Sequence, residues 1–564
     1  MNTNEGIALR HQKQGCPQGS CSGPALWNRV ANDILMQRWP QNVRIQAYAD
    51  NFVLVVGADT KTNLEKQTED ALKQFETWTS KNKLQISIEK SSYILFSKLI
   101  ARTRIKLNST TIKRQKSIKY LGVYIDEKLN WSTHIHHQTK KAAIYLQNLQ
   151  KIAGKSWGIN MKHRRILYKT VIERMLEHGA AVWCQNPTTK LAKKLAKMQR
   201  GFLLAISGAY RTSPTAALQV VLGIAQLHLQ FQLESQFVTL RRLRKSLPPD
   251  ITNISPHQIE NDIIGWTSHP LNFPKINQTS IEDGGPTSSY YSIYTDGSKT
   301  EDGVGAAFCV YEGTRAVKEW SAKLQNYNTV YQAELAAANE AAKYASEQDN
   351  STTIVIHINN QATIISSANP RTPDAIARNI NKILLQHPNI QLSWIKAHVG
   401  YEGNEYADKL AKQATERSDS THTIEYPKSH VKRLLKDSML QAWQTEWTNG
   451  TTGRIVHDVI PTVKQRLTPW KREDFLFFTG HGPFGQFRKR FRLLQSPNCA
   501  CGMYGSPIHY VTECHLTSSW HLKKPAPQNE TLWYKSVAAN VKSRNRNHQI
   551  IEHLHNNSDL FAPA

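Results

Sequence analysis

Cysteine and acidic residues are both scarce in this chain of 564 residues, and long apolar runs are missing. The seven cysteines are odd in number and scattered along the sequence: Cys16, Cys21, Cys184, Cys309, Cys499, Cys501 and Cys514. That pattern excludes the disulfide framework of a small secreted domain and favours a reducing compartment. We find no signal peptide, and no apolar run approaches the ~20 residues that a membrane-spanning helix needs. We therefore expect a protein of the cytoplasm or the nucleus with no membrane contact.

The shortage of acidic residues leaves a large and unevenly placed positive charge. Lys and Arg number 71 against 44 Asp and Glu, a formal charge of +27. Residues 98–250 carry 28 Lys and Arg against 6 Asp and Glu, whereas residues 290–416 carry 11 against 14. Such a basic stretch is typical of proteins that bind polyanions, because Lys and Arg displace the counterions of phosphates. A basic surface that serves solubility alone is the alternative.

Residues 290–416 place carboxylates at regular points along strand-like and helix-like runs. A strand-like run ends at Asp296, and the small residues Gly297 and Ser298 follow it. Glu334 lies in the first turns of an Ala-rich helical pattern, and Asp408 lies in a closing one. A further strand-like run ends at Asn359. This spacing is typical of a metal-dependent nuclease, which needs several carboxylates around its ions.

The ordered motifs of this region resemble type 1 ribonuclease H over all of 290–416. They are Thr-Asp-Gly, Ala-Glu-Leu, a polar triplet before Gln-Ala, and His-x-Gly followed by Gly-Asn-Glu-x-Ala-Asp. The resemblance implies a mixed five-stranded sheet with flanking helices. It also implies that Asp296, Glu334 and Asp408 hold two Mg²⁺ or Mn²⁺ ions for cleavage of the RNA strand of an RNA–DNA hybrid. His398 matches the mobile histidine that assists product or proton release.

The third metal-binding position departs from the family. Asn359 stands where the family has Asp, and neither Ile358 nor Asn360 can replace the missing charge. Mg²⁺ is held by few protein carboxylates together with waters and phosphate, so losing one anion weakens the site. The Asn carbonyl still offers an oxygen. We expect the fold to be kept and the nuclease rate to be low or absent.

The beginning of the chain contains a turn-rich stretch at 15–20 and two strand-like runs around a tight turn at Asp50-Asn51. Asp50 is equally well explained as a turn former. Together with the run 84–90, these pieces resemble the palm of a reverse transcriptase from non-LTR retrotransposons of the Jockey and I-element kind. The resemblance implies that Gln18 and Gly19 contact template and primer, that Asp50 and Asn51 are the remnant of a metal site, and that Lys90 protonates pyrophosphate.

A polymerase palm needs another metal-binding Asp well before the turn-rich stretch, and the chain has only fourteen residues ahead of Gly15. With one carboxylate of the usual set, two-metal nucleotidyl transfer should fail. We expect no polymerase activity from this chain alone. The missing upstream polymerase and endonuclease portion is an expected partner.

Apolar residues repeat every 3.6 positions between 132 and 245 and predict helices. We expect the apolar positions, such as Ile144, Leu149, Ile166, Val171 and Ile172, to form the core. The region resembles the thumb and connection of the same elements. Basic residues interleave on the expected outer faces and should clamp a nucleic-acid backbone: Lys140, Lys141, Arg164, Arg165, Lys193, Lys194, Lys197 and Arg200.

The end of the chain carries a basic run, Arg488-Lys489-Arg490, and a cluster of possible zinc ligands. The run is predicted to lie against nucleic-acid phosphate. Cys499, Cys501, His509 and Cys514 lie within sixteen positions and can close a tetrahedral zinc site. The Cys-x-Cys spacing is tighter than usual, and coincidence is the alternative. A Cys-Cys-His-Cys knuckle at the same place in the resembled elements supports zinc.

These patterns predict a multidomain protein of α/β and α class. The expected parts are a partial palm (1–130), a basic helical thumb and connection (131–246), a linker (247–289), a ribonuclease H domain (290–416), a helical region (417–490) and a zinc knuckle with a tail (491–564). The expected function is hybrid ribonuclease within a retrotransposon-derived fragment. The alternative is an inactive nucleic-acid-binding relic, which Asn51 and Asn359 favour.

Overall fold

The computed structural model describes residues 2–3, 6–7, 19–97, 103–154, 157–261, 273–284, 291–349, 351–418 and 422–563. The chain divides into two compact units, Met1–Tyr145 and Leu146–Ala564. In the described part of the chain no single helix is long and apolar enough to cross a membrane. The helices Thr215–Leu222 and Leu227–Arg241, bent by 55°, match such a span only as a pair and only by length and composition.

The first unit is built around one hairpin and two helices. Its elements are β1 (Asn2–Thr3), β2 (Gly6–Ile7), α1 (Gly23–Leu35), β3 (Val43–Tyr48), β4 (Asn51–Val56), α2 (Lys61–Lys81), β5 (Ser92–Tyr93), β6 (Lys106–Leu107), β7 (Thr110–Thr111), β8 (Lys113–Arg114), β9 (Ser117–Tyr120), β10 (Val123–Asp126) and, continuing into the second unit, α3 (Ser132–Ile152). Ile34 of α1 and Phe75 and Trp78 of α2 form a core against Phe52 of β4. This packing fixes the hairpin on the two helices.

The tight turn of that hairpin lies one residue earlier than the sequence suggested. Tyr48 pairs with Asn51 in the antiparallel register, so the turn consists of Ala49 and Asp50, and Asn51 begins the second strand. Ala49 has φ of 51°, and the indole of Trp27 donates a hydrogen bond of 2.7 Å to its carbonyl. The register of the flanking strands, and not the preference of Asn for turns, therefore decides the position of the turn.

The second unit contains a body of helices contributed by two separate stretches of chain. The first stretch forms α4 (Met161–Leu167), a π-helical turn (Tyr168–Ile172), α5 (Glu173–Glu177), α6 (Ala180–Trp183), α7 (Thr189–Ser207), α8 (Thr215–Leu222) and α9 (Leu227–Arg241). The second, after the ribonuclease-like region, forms α14 (Lys428–Asn449), α15 (Arg454–Val459), α16 (Arg472–Thr479), α17 (Gly485–Arg490), α18 (Pro507–Thr512), α19 (Glu530–Ala539) and α20 (Val541–Asn556). We call these helices the helical body.

Hydrogen bonds between the two stretches hold the helical body together. The backbone N–H of Thr468 donates to the carbonyl of Val221 at 2.9 Å, and the guanidinium of Arg472 donates to the carbonyl of Gly208 at 2.9 Å. Gly223 has φ of +60°, and a Cβ there would lie 2.4 Å from the carbonyl oxygen of Arg466. After residue 490 the helices α18, α19 and α20 pack within this body, and the zinc knuckle with a tail at 491–564 stays a prediction.

Some apolar positions that the helical period assigned to the core are on the surface. Ile144, Ile166 and Val171 are 56%, 45% and 44% exposed, whereas Leu149 and Ile172 are buried. A 3.6-residue period identifies one face of a helix, but that face is buried only where a partner element covers it. The prediction that all of these residues form the core is therefore wrong in part.

The region between the two stretches is a mixed sheet with helices on both faces. Its elements are β11 (Thr279–Ser280), β12 (Tyr291–Lys299), β13 (Val304–Glu312), β14 (Arg315–Leu324), α10 (Val330–Ser346), β15 (Ile354–Ile358), α11 (Gln361–Ala368), α12 (Ala375–Gln386), β16 (Ile390–Trp394) and α13 (Glu402–Thr415). The strand order is β11-β16-β15-β12-β13-β14. β12 pairs parallel with β15 and antiparallel with β13.

The sheet has six strands and not the expected five. The additional strand, β11, comes from the predicted linker and pairs parallel with β16. Its anchor is Gln278, which is 1% exposed and whose amide donates to the carbonyls of Leu384, His387 and Ile390. Thr279 and Ser280 have no apolar pattern that would predict a strand. They form one because they pair with the edge of β16.

Candidate functional site

The sequence pattern placed Asp296 at the end of a strand. The residue lies inside β12 instead, because the strand continues to Lys299 against β13. Alternation along the strand places Asp296 on the same face as Tyr294. That face carries α13, since a Cβ on Gly403 of α13 would lie 2.3 Å from the Tyr294 ring. The amide of Asn359, the first residue after β15, donates a hydrogen bond to Oδ1 of Asp296.

Gly297 brings the helix that carries Glu334 against the strand that carries Asp296. A Cβ on Gly297 would lie 2.5 Å from the backbone nitrogen of Glu334, so the helix can approach this closely only where the side chain is absent. Glu334 is 4% exposed, and its Oε2 has no hydrogen-bond partner among the described residues. A buried carboxylate oxygen without a donor is unfavourable unless a cation balances it.

Asp408 reaches the same place from α13. A second glycine makes this possible, because a Cβ on Gly305 of β13 would lie 2.1 Å from the carbonyl of Ala411. Asp408 is half-buried, and the ammonium of Lys412, one turn later, lies 2.6 Å from its Oδ2. Lys412 was not among the site residues that the sequence predicted. The spacing of Asp and Lys by four positions on a helix was the available signal.

The three carboxylates share one buried and negatively charged site. Burial raises the pKa of Asp296 to about 6, and the charge of Asp408 adds to the shift, while the hydrogen bond from Asn359 opposes it. Burial and the charge of Asp296 raise the pKa of Glu334 well above its usual range. The hydrogen bond to Asp408 raises the pKa of Lys412. These shifts show that the site would hold its full negative charge only beside a compensating cation.

Oxygen ligands of this kind suit a hard divalent cation such as Mg²⁺ or Mn²⁺. Asp296, Glu334 and Asp408 offer carboxylate oxygens, and Asn359 offers a carbonyl oxygen. The unpartnered Oε2 of Glu334 is the observation that fits a metal. His398 lies exposed in the loop between β16 and α13 with φ of 55°, and its charge lowers the pKa of Asp296. The structure thus places all five residues in one region.

The four proposed zinc ligands also come together. Sγ of Cys499 lies 3.7 Å from Sγ of Cys514, Sγ of Cys501 lies 3.3 Å from Nε2 of His509, and all four ligand atoms lie within 4.8 Å of one another. Tetrahedral zinc with bonds of about 2.3 Å requires sulfur atoms about 3.8 Å apart. A turn at Gly502, with φ of +89°, brings Cys501 back over Cys499. This donor set and spacing fit zinc.

The remnant of the polymerase site is spread over the surface of the first unit. Asp50 and Asn51 are exposed at the hairpin, with Nδ2 of Asn51 3.5 Å from Oδ1 of Asp50. Lys90 is exposed in a turn and Gly19 is exposed with φ of +84°. Gln18 lies outside the described residues. Asp50 is the one carboxylate that the sequence predicted for this site.

Two of the residues predicted to clamp nucleic acid are structural, which corrects the prediction. The guanidinium of Arg164, 6% exposed, donates to the carbonyls of Ile159, Ala205 and Trp157 at 2.6–3.0 Å. That of Arg165 donates to the carbonyls of Leu222, Gly223 and Gln465 at 2.6–3.0 Å. Five donors in a rigid fork satisfy several carbonyls at once, which is why Arg occupies these junctions.

The remaining basic residues of that prediction are accessible. Lys140 and Lys141 are exposed on α3, and Lys193, Lys194 and Lys197 are exposed on α7. On α17, Lys489 and Arg490 are exposed and Arg488 is half-buried. These positions keep the chemistry for phosphate contacts, and their role stays a prediction.

Two parts of the chain match models of known protein families. The model for reverse transcriptase (RNA-dependent DNA polymerase) matches residues 1–125, and the model for RNase H matches residues 288–416. The prediction of a reverse transcriptase segment followed by a ribonuclease H domain is thereby confirmed. Residues 288–416 form the ribonuclease H domain, and proteins of that family generally use divalent metals.

The relatives are polyproteins of retrotransposable elements. The Pol polyprotein of type-1 retrotransposable element R1 from Bradysia coprophila is 30% identical over 249 residues, 43% of this chain and 24% of the relative. The RNA-directed DNA polymerase from mobile element jockey of Drosophila melanogaster is 27% identical over 207 residues, 35% of this chain and 22% of the relative. The match thus spans about a quarter of the length of these relatives.

A solved structure of RNase H1 from the archaeon Halobacterium salinarum is 22% identical and has a TM-score of 0.18, with coverage of 22% of this chain and 96% of that chain.

Proposed function

We propose that the ribonuclease H domain binds an RNA–DNA hybrid and hydrolyses its RNA strand slowly. The observation that supports this most is the convergence of Asp296, Glu334 and Asp408, with an oxygen of Glu334 buried and unpartnered. Contacts to the 2′-hydroxyl groups would select the RNA strand of the hybrid. The predicted clamp lysines of α7 would add phosphate contacts.

Each residue has a separate task in this proposal. The three carboxylates would hold two divalent ions, Mg²⁺ or Mn²⁺, and such ions would supply activation of water and stabilisation of the leaving oxygen. Asn359 orients Asp296 through its amide and offers a neutral oxygen in place of a carboxylate. The indole of Trp394 donates to the carbonyl of Asn359 at 3.0 Å and fixes this residue. His398 exchanges a proton with the product from its exposed loop.

The second candidate function is hybrid binding without cleavage. The contacts of Asn359 and Lys412 favour it, because they satisfy two of the carboxylates by an amide and an ammonium group that the chain itself supplies. Lys412 opposes a divalent ion in the same position through its charge. The two candidates differ in whether metal ions displace these contacts.

Cleavage of a labelled hybrid by the full chain and by Asn359→Asp tests the proposal. We expect slow cleavage by the native chain and a rate at least tenfold higher for the variant, since one restored carboxylate strengthens the metal site by about 1.4 kcal/mol or more. Isothermal titration with Mg²⁺ should show tighter binding by the variant.

Asp296→Asn is the control for this experiment and should abolish both cleavage and metal binding. Equal, fast cleavage by the native chain and Asn359→Asp would contradict the proposal that Asn359 weakens the metal site. Hybrid binding by the native chain without cleavage, and without any effect of Mg²⁺, would establish the binding function instead.

We propose in addition that Cys499, Cys501, His509 and Cys514 bind one zinc ion per chain. Metal analysis of the purified protein should find one equivalent of zinc, and Cys499→Ser should lower it severalfold because a buried ligand is lost. Cys21→Ser, which changes an exposed cysteine elsewhere, should retain the full equivalent. Loss of zinc in both variants, or in neither, would contradict this site.

A further inference from the structure

The helical body contains a basic groove between its two stretches of chain. The groove has a volume of about 990 Å³. One wall is the face of α7 with the loop at 212–215 after it, and the other is formed by residues 443–456 and 478–490. The cationic, imidazole and hydroxyl side chains that matter for its chemistry are Lys193, Arg200, Thr212, Thr215, His481 and Arg490. None of them belongs to the carboxylate cluster of the ribonuclease H domain.

Arg200 is held in a fixed orientation at this groove. Its guanidinium donates to the hydroxyl of Thr215 and to the carbonyl of Arg211. His481 is fixed in the same way, because its Nδ1 lies 2.9 Å from the hydroxyl of Thr212. Groups that are already oriented lose little conformational entropy when they bind a ligand.

The carboxylates that line the groove do not balance the positive charge of its cations. Glu446 is the one carboxylate among the described residues that line it. Its two oxygens accept hydrogen bonds from the amide of Gln226 at 2.9 Å and from His228 at 3.2 Å. Burial, and then the charges of Arg490 and Arg200, lower the pKa of His481 to about 4, so this imidazole is neutral near pH 7 and the positive charge of the groove comes from Lys193, Arg200 and Arg490. A recess that concentrates positive potential in this way attracts anions.

We propose that this groove binds the phosphodiester backbone of a single nucleic-acid strand. Arg forks and neighbouring hydroxyl groups are suited to phosphate oxygens. A single strand can bend into a recess, whereas a duplex with a persistence length of about 50 nm can only lie across its rim. The sequence pattern selected Lys193, Arg200 and Arg490 as separate basic residues, and the fold brings them together with His481. The groove is a second nucleic-acid site in addition to that of the ribonuclease H domain.

Fluorescence anisotropy of a labelled single-stranded RNA with the full chain tests this inference. The double variant Lys193→Gln with Arg490→Gln removes two exposed charges from the groove. We expect binding about tenfold weaker near physiological salt, and a slope of log K against log salt smaller by about 1.4, because each phosphate contact on a single strand contributes about 0.7. Arg200→Lys keeps the charge but loses the fork, and it should also weaken binding.

The matched control is Lys190→Gln with Arg492→Gln. These residues are exposed neighbours of the first pair and do not line the groove, so RNA binding should change by less than about twofold. An equal loss in both double variants would show a general electrostatic effect and overturn the proposal, as would no loss in the first.

Binding experiments with two further ligands test which kind of nucleic acid the groove binds. A DNA duplex of the same length should be affected little by the Lys193 and Arg490 substitutions, and an equal effect on the duplex would overturn the assignment to a single strand. Competition by a mononucleotide should be weak. Displacement of the RNA by the mononucleotide at comparable concentration would show a site for free nucleotide and not for a strand.

Discussion

Glu173 is a carboxylate held at the start of α5, directly after the π-helical turn, where water does not reach it. Its side chain is 2% exposed, and the ammonium of Lys169 lies 3.7 Å from its Oε1. Burial raises the pKa of Glu173 to about 7, and the charge of Lys169 only partly opposes the shift. The ion pair therefore does not compensate fully for the lost hydration of the carboxylate.

Replacing Glu173 by Gln should change how stability depends on pH. The folded pKa of about 7 is above the ordinary value of 4.5, so the folded chain favours the protonated form. The native chain should lose stability as pH rises from about 4.5 to 7. Glu173→Gln carries no such charge and should be more stable by about 3 kcal/mol above pH 7, with little difference below pH 4.5.

Urea unfolding of both proteins at pH 4.5 and pH 8 measures this difference. Glu416→Gln is a suitable control, because Glu416 is exposed and its replacement should leave the pH profile unchanged. Parallel profiles for the native chain and Glu173→Gln would show that folding leaves the pKa of Glu173 at its ordinary value and would contradict the shift.

Individual residues show where sequence reasoning reaches its limit. Asp296, Glu334 and Asp408 could be identified because each lies in a local motif. The burial of Arg164 and Arg165 could not, because their acceptors are carbonyls elsewhere in the chain, such as that of Gln465, 300 positions after Arg165. A basic residue on a helix has the same local pattern whether it faces phosphate or a distant backbone.

At the scale of elements, two glycines set the distance between strands and helices around the carboxylates. Gly297 admits α10 and Gly305 admits α13, and each contact is closer than a Cβ allows. The sequence indicated that these strands and helices exist. It did not indicate that β12 continues past Asp296 or that β11 joins the sheet, because both depend on hydrogen-bonding partners in other strands.

Substituting Ala for Gly297 should move α10 away from β12. A Cβ there would lie 2.5 Å from the nitrogen of Glu334 and 2.8 Å from the carbonyl carbon of Ala333, which are backbone atoms that cannot rotate aside. We expect a loss of about 1–3 kcal/mol in stability and weaker Mg²⁺ binding, because Glu334 shifts relative to Asp296.

Urea unfolding and metal titration of the full chain measure the two effects. Gly57→Ala is the control, because the nearest atom to its Cβ would be 4.0 Å away, and it should leave Mg²⁺ binding unchanged. Unaltered metal binding in Gly297→Ala would mean that the position of Glu334 does not depend on this contact.

At the scale of the whole chain, the ribonuclease H domain is inserted into the helical body. The chain leaves the body at Ile259 and returns at Tyr426, and these two residues form a parallel bridge. The N–H of Tyr426 donates to the carbonyl of Gln258 at 2.7 Å, and the N–H of Glu260 donates to the carbonyl of Tyr426 at 3.1 Å. Both ends of the inserted domain therefore lie side by side.

Removing the inserted domain should leave the helical body folded. We expect a chain that lacks residues 262–423, with a short Gly/Ser linker in their place, to keep a cooperative unfolding transition and its zinc, since insertions with adjacent ends are tolerated. Circular dichroism and metal analysis measure this.

A longer deletion that also takes away α14 is the control. It removes the buried Trp443 and Trp447 and should unfold the body. Loss of structure in the shorter deletion as well would mean that the body needs the domain for its stability.

The bridge between Ile259 and Tyr426 also has a consequence for how the gene can evolve. A recombination event with breakpoints on either side of it can exchange or discard the whole domain in one step without disturbing the surrounding protein. Selection can therefore act on the two parts of the gene separately.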